Sequence, residues 1–308
     1  MNLFILSILC FCLASENLQA NSCVSLFKKE NTLRLSSVQY LIEGNHSLDS
    51  MMSKITRLVQ EAKEKGSELV VFPELFIFDL LRDQNDPQIE VRLREIAETV
   101  TPILFERIAD LAQRESIAIL AGSTPILENN RIYNRAMIVF QDGQRIFQDK
   151  LFLTPDELDW GWASGTRLQV FNAPWGKTTI LICYDCEFPI ISNLLARSKP
   201  EVILIPSMTE SRHGFRRVRW SAKARAIEHR AYVVHTGNVG YLQYGQAATM
   251  TPSEAGHPGI KNQGKINKFE IVTTDLDIGH LRQTRLTRGP HPARDQNSRI
   301  EPIEVIDE

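Results

Sequence analysis

The stretch TTILICYDCEFP, Thr178 to Pro189, admits two readings with different chemistry. Cys183 and Cys186 stand in a C-x-x-C spacing, which serves dithiol redox sites and supplies half of a tetrahedral zinc site. The run TTILIC also has the pattern of a buried strand, which would deliver one thiol, Cys183, into a turn at the strand's carboxyl end. Pro189 then opens a helix, at a position that proline favours. A strand feeding a turn and then a helix belongs to an α/β chain, so the pattern on either side bears on which reading holds.

Working outward, the same alternation continues. LVVF (Leu69–Phe72), IAILAGS (Ile117–Ser123), EVILIPS (Glu201–Ser207) and YVVHTG (Tyr232–Gly237) are short apolar runs suited to strands buried on both faces. LRLSSVQYLI opens the folded part at Leu33, and KFEIVTTDLDI closes it. Between strands, Leu48, Met51, Met52, Ile55, Leu58, Val59 and Ala62 recur at helical spacing until Gly66. A second helical region spans about Pro87 to Arg114 with an interruption near Pro102, and a third runs from Arg216 to Arg230. RAMIVF and RIFQDK flank Asp142-Gly143, and LQVF and KTTILIC flank NAPWG, two hairpin patterns. Tyr241 to Lys265 reads as a polar surface loop, and the segment from Arg282 as a polar tail that needs a partner surface to become ordered. No short repeat or linker divides the chain. One α/β domain over residues 33–280 is expected, with a mixed sheet or two sheets face to face, followed by a tail over 281–308.

Composition narrows the function classes. Of 308 residues, 43% are hydrophobic and 23% charged, enough for a substantial core. A formal net charge of −2 gives no pull toward nucleic acid or an acidic membrane surface. The run Arg212, Arg216, Arg217, Arg219 is the one concentration of positive charge and reads first as a solvated helix face. LFILSILCFCLA near the start is too short to span a bilayer and fits the apolar part of an export signal, with a cleavage site after Ala20. No Lys or Arg precedes it, which leaves a retained N-terminus open, and Cys23 leaves a lipoprotein-type site open. A cleaved signal over residues 1–20 implies export to the periplasm or beyond, a retained one the cytoplasm, and neither leaves a transmembrane span in the mature protein.

Three positions share a geometric property. Glu74 follows LVVF, Lys150 ends RIFQDK and Cys183 ends TTILIC. Sites in layered α/β folds gather at the carboxyl ends of strands, so an acid, a base and a thiol can meet there. Against this, a strand-end cysteine is commonly a small buried hydrophobe.

VVFPELF (Val70–Phe76), QDKLFLTPDE (Gln148–Glu157) and ILICYDCEFP (Ile180–Pro189), in this order and spacing, resemble the nitrilase or carbon–nitrogen hydrolase superfamily. IPSMTESRHGFRRVRWSAKARAIEHRAYVVHTGNVG, Ile205–Gly240, is closest to the branch whose members sometimes carry an acetyltransferase domain in front. The 32 residues before the first strand are too few for such a domain, so that fusion is expected to be absent. The resemblance covers about Leu33 to Ile278. It implies a four-layer α-β-β-α sandwich and a Glu-Lys-Cys triad on Glu74, Lys150 and Cys183, with neither cofactor nor metal.

The physical logic fits those residues. A thiol must lose its proton to attack a carbonyl, which calls for a carboxylate base, Glu74, within reach. A fixed cation, Lys150, with the backbone N–H of Tyr184, would stabilise the oxyanion. Burial would raise the Glu74 pKa and Lys150 would lower it, and the sequence leaves that balance open. A further acid in this family orients the lysine or the substrate; Glu157 is the first choice and Asp156 the second. Tyr-Asp after Cys183 resembles the amidase-type branches, so a small amide or carbamoyl substrate is preferred to a nitrile. Ser207, Met208 and Thr209, just after EVILIPS, are expected at the pocket, and Arg212 within reach of an acidic substrate group. The family commonly dimerises, so a homodimer is expected. Two alternatives stay open: a dithiol or metal protein using Cys183 and Cys186, and a scaffold that binds ligand without turnover.

Overall fold

The computed structural model describes residues 31–299, apart from 45, 82–86, 241 and 255. The expected export signal, with Cys10, Cys12 and Cys23, lies outside the described residues. The strands are β1 (Thr32–Ile42), β2 (Leu69–Val71), β3 (Ala118–Glu128), β4 (Arg131–Val139), β5 (Arg145–Asp149) and β6 (Val170–Ala173). They continue as β7 (Gly176–Ile180), β8 (Val202–Ser207), β9 (Tyr232–Gly240), β10 (Ala248–Glu254), β11 (His257–Gln263) and β12 (Glu270–Asp277). The helices are α1 (Leu48–Glu64), α2 (Ile89–Glu95), α3 (Thr101–Glu115), α4 (Pro155–Asp159), α5 (Pro189–Ser198), α6 (Arg212–His229), α7 (Ile278–Leu286) and α8 (Pro292–Ser298).

One sheet has the order β5-β4-β3-β2-β1-β12 and the other β6-β7-β8-β9-β10-β11. They join where Tyr40–Ile42 of β1 pairs in parallel with Asn238–Gly240 of β9. Side-chain alternation explains the layering. Leu69, Val71, Ala118, Leu120, Ala136 and Ile138 share one buried cluster with Val202, Leu204 and Val234 of the second sheet. Their neighbours Val70, Ile119, Ala121, Met137 and Val139 point the other way, into a cluster with Met51, Ile55 and Leu58 of α1 and Leu104, Ile108 and Leu111 of α3. Val218, Ala222 and Ala226 of α6 cover the far face of the second sheet. The result is the α-β-β-α sandwich that the motifs imply.

Local chemistry sets the ends of the elements. Ser47 caps α1 by accepting the N–H of Ser50 at 3.2 Å, and Ser211 caps α6 by accepting that of Gly214 at 3.1 Å. The long helical region is continuous, and the break expected near Pro102 is a π-helical turn over Ile96–Val100 that absorbs the missing N–H.

Three expectations change. IAILAGS is only the first half of an 11-residue strand that turns back at Asn129-Asn130, both with positive φ, into β4. The Tyr241–Lys265 loop contains the β10–β11 hairpin, whose irregular register hides it from a period-two search. Over its described residues, 282–299, the polar segment packs on the chain's own surface: Arg285 donates to the carbonyls of Arg230 at 2.8 Å and His229 at 3.0 Å, and Ala293 of α8 is buried.

Candidate active site

Glu74 sits two residues beyond Phe72, held in place by its backbone. It bridges Ser123 of β3, and the N–H of Leu75 donates to the Ser123 carbonyl at 2.8 Å. Asn238 of β9 donates to the Glu74 carbonyl at 2.7 Å. The close approach needs glycine on the neighbouring strand: at Gly122, φ +57°, a Cβ would lie 1.9 Å from the Pro73 carbonyl oxygen. Behind this turn, Asp79 accepts from Tyr40 Oη, Lys54 Nζ and the N–H groups of Glu43 and Gly44 at 2.7–3.0 Å, which anchors the 3-10 turn Phe76–Leu80.

Lys150 leaves β5 with its N–H donated to the Asn134 carbonyl at 2.9 Å. Glu157 is the third residue of α4, in a capping box with Thr154: its Oε2 accepts the Thr154 N–H at 2.9 Å. Cys183 opens the 3-10 turn Cys183–Glu187 after β7 with φ 47°, a left-handed conformation that costs a non-glycine residue about 1–2 kcal/mol. Asp185 fastens that turn to the lysine loop, accepting the N–H groups of Ile182, Leu151 and Phe152 at 3.1, 3.0 and 2.8 Å. Burial raises its pKa to about 7 against the pull of those donors.

The side chains converge. Lys150 Nζ lies 2.8 Å from Glu74 Oε1 and 2.7 Å from Glu157 Oε2, and all three side chains are 2% exposed. Glu74 Oε2 accepts the Met208 N–H at 2.7 Å, and Cys183 Sγ lies 3.5 Å from the Met208 carbonyl oxygen. Asn134, in the middle of β4, donates from Nδ2 to both acids, to Glu74 at 3.0 Å and to Glu157 at 2.7 Å. Nothing in the sequence singled out Asn134; the one available signal was its place on the strand antiparallel to the one ending at Lys150.

The charges follow from burial. For Glu74 burial outweighs Lys150, and the proximity of Glu157 adds to it, so the carboxyl is raised above its ordinary value. Burial works against the charge on Lys150, but Glu74 and Glu157 more than offset it and hold the ammonium protonated. Burial, reinforced by Glu74, pushes the Cys183 thiol well up. Burial and the neighbouring Glu74 thus disfavour a preformed thiolate at Cys183.

A cavity of about 320 Å³ opens on these groups. Glu74, Lys150, Glu157, Cys183, Tyr184, Met208 and Thr209 line it, as does the second-choice acid Asp156, whose side chain is exposed. Glu157, not Asp156, contacts the lysine. Ser207 is fully buried at the end of β8, outside the lining. Arg212 also lies outside it, exposed at the first residue of α6. Positions 213, 214, 217 and 218 share the helix face turned to the cavity, so the basic side chains there are His213 and Arg217. Nor is the basic run wholly solvated: Arg219 falls on the face with Phe215, Val218 and Ala222 and is buried, donating to the Gln246 carbonyl. Cys186 turns away from the cavity, fully buried, with Sγ 3.7 Å from the Val218 carbonyl oxygen; burial, with the nearby charge of Glu187, pushes its thiol far up. The two thiols are free and face different surroundings.

The family model for carbon-nitrogen hydrolases matches residues 34–285. The chain belongs to the carbon-nitrogen hydrolase family. Among relatives, it is 32% identical over 273 residues to the probable hydrolase YhcX of Bacillus subtilis, covering 84% of this chain and 52% of that one. The chain thus spans about half the length of that relative. Among solved structures, Nit3 of Saccharomyces cerevisiae, a member of branch 10 of the nitrilase superfamily, superposes with a TM-score of 0.70 at 21% identity, covering 83% of this chain and 93% of that one. A variant of the amidase from Nesterenkonia sp. AN1, with the acetamide moiety of fluoroacetamide added covalently at its active-site cysteine, gives 0.68 at 19% identity, covering 84% and 95%. At these identities the structural likeness speaks for the fold. Among the described residues no helix is long and apolar enough to cross a membrane.

Proposed function

We propose that this protein hydrolyses a non-peptide C–N bond of a small amide or carbamoyl compound through a thioester on Cys183. One observation carries the reading: a single cavity gathers a thiol on a left-handed turn with a buried carboxylate–lysine–carboxylate group. Glu74 takes the Cys183 proton as Sγ attacks the carbonyl carbon. The oxyanion forms against the Lys150 ammonium and the backbone N–H of Tyr184. Glu74 returns the proton to the departing nitrogen as the C–N bond breaks, and ammonia or an amine leaves. A water then gives its proton to Glu74 and attacks the thioester carbonyl, and the thiolate leaves and is reprotonated. Glu157 positions Lys150, and Asn134 keeps Glu74 and Glu157 in register.

Family membership supports C–N hydrolysis, and the Tyr184-Asp185 pair after the thiol supports an amide over a nitrile. Incubating purified protein with a panel of simple amides and following ammonia release tests the reading. Release that Cys183→Ala abolishes supports it; ligand binding without any turnover supports the scaffold alternative. We further propose a homodimer through the exposed apolar side chains Ile190 and Leu194 of α5 and Trp220 of α6, which gel filtration at a monomer's volume would contradict. Export by cleavage after Ala20 is tested by N-terminal sequencing, where retention of Met1 would refute it.

A further inference from the structure

One backbone residue meets both members of the thiol-activating pair. The Met208 N–H donates to Glu74 Oε2 at 2.7 Å, and the Met208 carbonyl oxygen lies 3.5 Å from Cys183 Sγ. The last ladder pair of β8 is Ser207 opposite Gly237, so Met208 lies just beyond the sheet. The next residue ties it down. Thr209 Oγ1 donates to the Tyr244 carbonyl at 2.6 Å, and the Tyr244 N–H donates to the Thr209 carbonyl at 2.7 Å. Tyr244 belongs to the segment 242–247 between β9 and β10, which is itself clamped. The Gly245 N–H donates to Asn267 Oδ1 and the Asn267 N–H to the Gly245 carbonyl, both at 2.9 Å. The Ala247 N–H donates to Gln39 Oε1 of β1 at 2.9 Å. The segment also runs hard against β9: a Cβ at Gly245 would lie 2.1 Å from the Asn238 carbonyl oxygen.

We propose that Thr209 is a positioning residue for thiol activation, acting through Tyr244 to hold the Met208 peptide against Glu74 and Cys183. This rests on the hydrolase reading above, and it takes Thr209, which lines the cavity, out of the set of groups that donate to substrate. A threonine hydroxyl has one proton to give, and the Tyr244 carbonyl takes it. Each donor that a buried carboxylate keeps favours its ionised form. The Met208 N–H is such a donor, pulling the Glu74 carboxyl down against the burial that raises it. Without the Thr209 hydroxyl, one hydrogen bond instead of two ties Thr209 to Tyr244, and the peptide ahead of it loses its registry with both catalytic groups.

Three variants of the full chain test this with butanamide as substrate. Thr209→Val removes the hydroxyl and keeps the shape, and Thr209→Ser keeps the hydroxyl. Asn267→Gly loosens the same segment from outside the cavity, without strain at φ 53°. Thr209→Val should lower kcat by about tenfold with KM within about twofold, and move the acidic limb of kcat/KM upward. Thr209→Ser should restore both, and Asn267→Gly should move the limb the same way by less. A raised KM with kcat and the limb unmoved overturns the proposal in favour of direct substrate contact. Failure of Thr209→Ser to rescue, or an unmoved limb in Asn267→Gly, also overturns it. Alkylation of Cys183 by iodoacetamide, followed against pH by peptide mapping, reads activation without turnover and so separates this from the hydrolase reading. A lower rate in Thr209→Val that Thr209→Ser restores supports the proposal even if no amide is hydrolysed. Equal rates in both variants and the wild type overturn it.

Discussion

Asn134→Ala removes one amide that serves two buried carboxylates. Its Nδ2 reaches Glu74 at 3.0 Å and Glu157 at 2.7 Å, and neither acid has solvent to replace the lost donor. A hydrogen bond to a charged group is worth about 1.5–3 kcal/mol, and about 1.4 kcal/mol corresponds to one pKa unit. Glu74 keeps the Met208 N–H at 2.7 Å and the Lys150 ammonium at 2.8 Å, so the low end of that range applies. Donors favour the ionised form, so their loss moves the Glu74 pKa further up from where burial already holds it. Thiol activation needs ionised Glu74, so the acidic limb of kcat/KM should shift upward by about one unit. The plateau should fall by about tenfold as Lys150 and Glu157 lose their alignment.

The same linkage gives a sign for stability. A carboxyl with a raised folded-state pKa contributes stability that is complete below its unfolded value and lost as pH rises through the folded one. Asn134→Ala raises that folded pKa further, so its deficit against the wild type should grow as pH rises through the window. Ammonia release against pH, paired with thermal melts at low and high pH, reads both quantities. An unmoved acidic limb, with a stability deficit independent of pH, would refute the role given to Asn134.

Other perturbations follow from the same geometry. Lys150→Met leaves Glu74 and Glu157 buried without their shared cation, and should cost about 3–5 kcal/mol in chemical denaturation, with kcat down at least about a hundredfold. Cys186→Ser places a hydroxyl in an apolar site, so the melting temperature should fall while most amide turnover survives; a loss of activity equal to that of Cys183→Ala would revive the dithiol alternative. Gly122→Ala pushes a methyl into the Pro73 carbonyl at φ +57°, and should lower kcat far more than the Leu120→Ala core control does at matched loss of stability. Equal kcat losses would show that Gly122 acts only through general packing.

The parts of the site that read from sequence are those at strand ends. Glu74 and Cys183 come at the ends of apolar runs and Lys150 at the end of a hairpin strand, positions from which a side chain is presented at the sheet's edge. The capping box with Thr154 that fixes Glu157 emerges only in the folded chain; from sequence the acid was legible only through the family resemblance, with Asp156 as the second choice. Asn134 was not: in mid-strand its neighbours Tyr133 and Arg135 look as polar as it does, and only the pairing of β4 with β3 and β5 turns it inward. The phase of α6 was equally hidden. Helical spacing fixes which residues share a face but not which face meets the cavity, so Arg212 stood in for Arg217. The β10–β11 hairpin failed for a third reason: Pro252, Pro258 and the register shifts break the alternation by which a strand is recognised. In the sandwich itself, β2 and β3 were legible as continuous apolar runs buried on both faces, while which residues face which layer emerges only on folding.

The central claim is that Cys183 alone is the nucleophile, activated by Glu74. Peptide mapping by mass spectrometry after exposure to fluoroacetamide tests it most directly. Labelling is expected to give one acetamide adduct, on Cys183, formed with loss of fluoride and suppressed in Glu74→Gln, with Cys186 unlabelled. A label on Cys186, or amide hydrolysis that persists in Cys183→Ala, would contradict it.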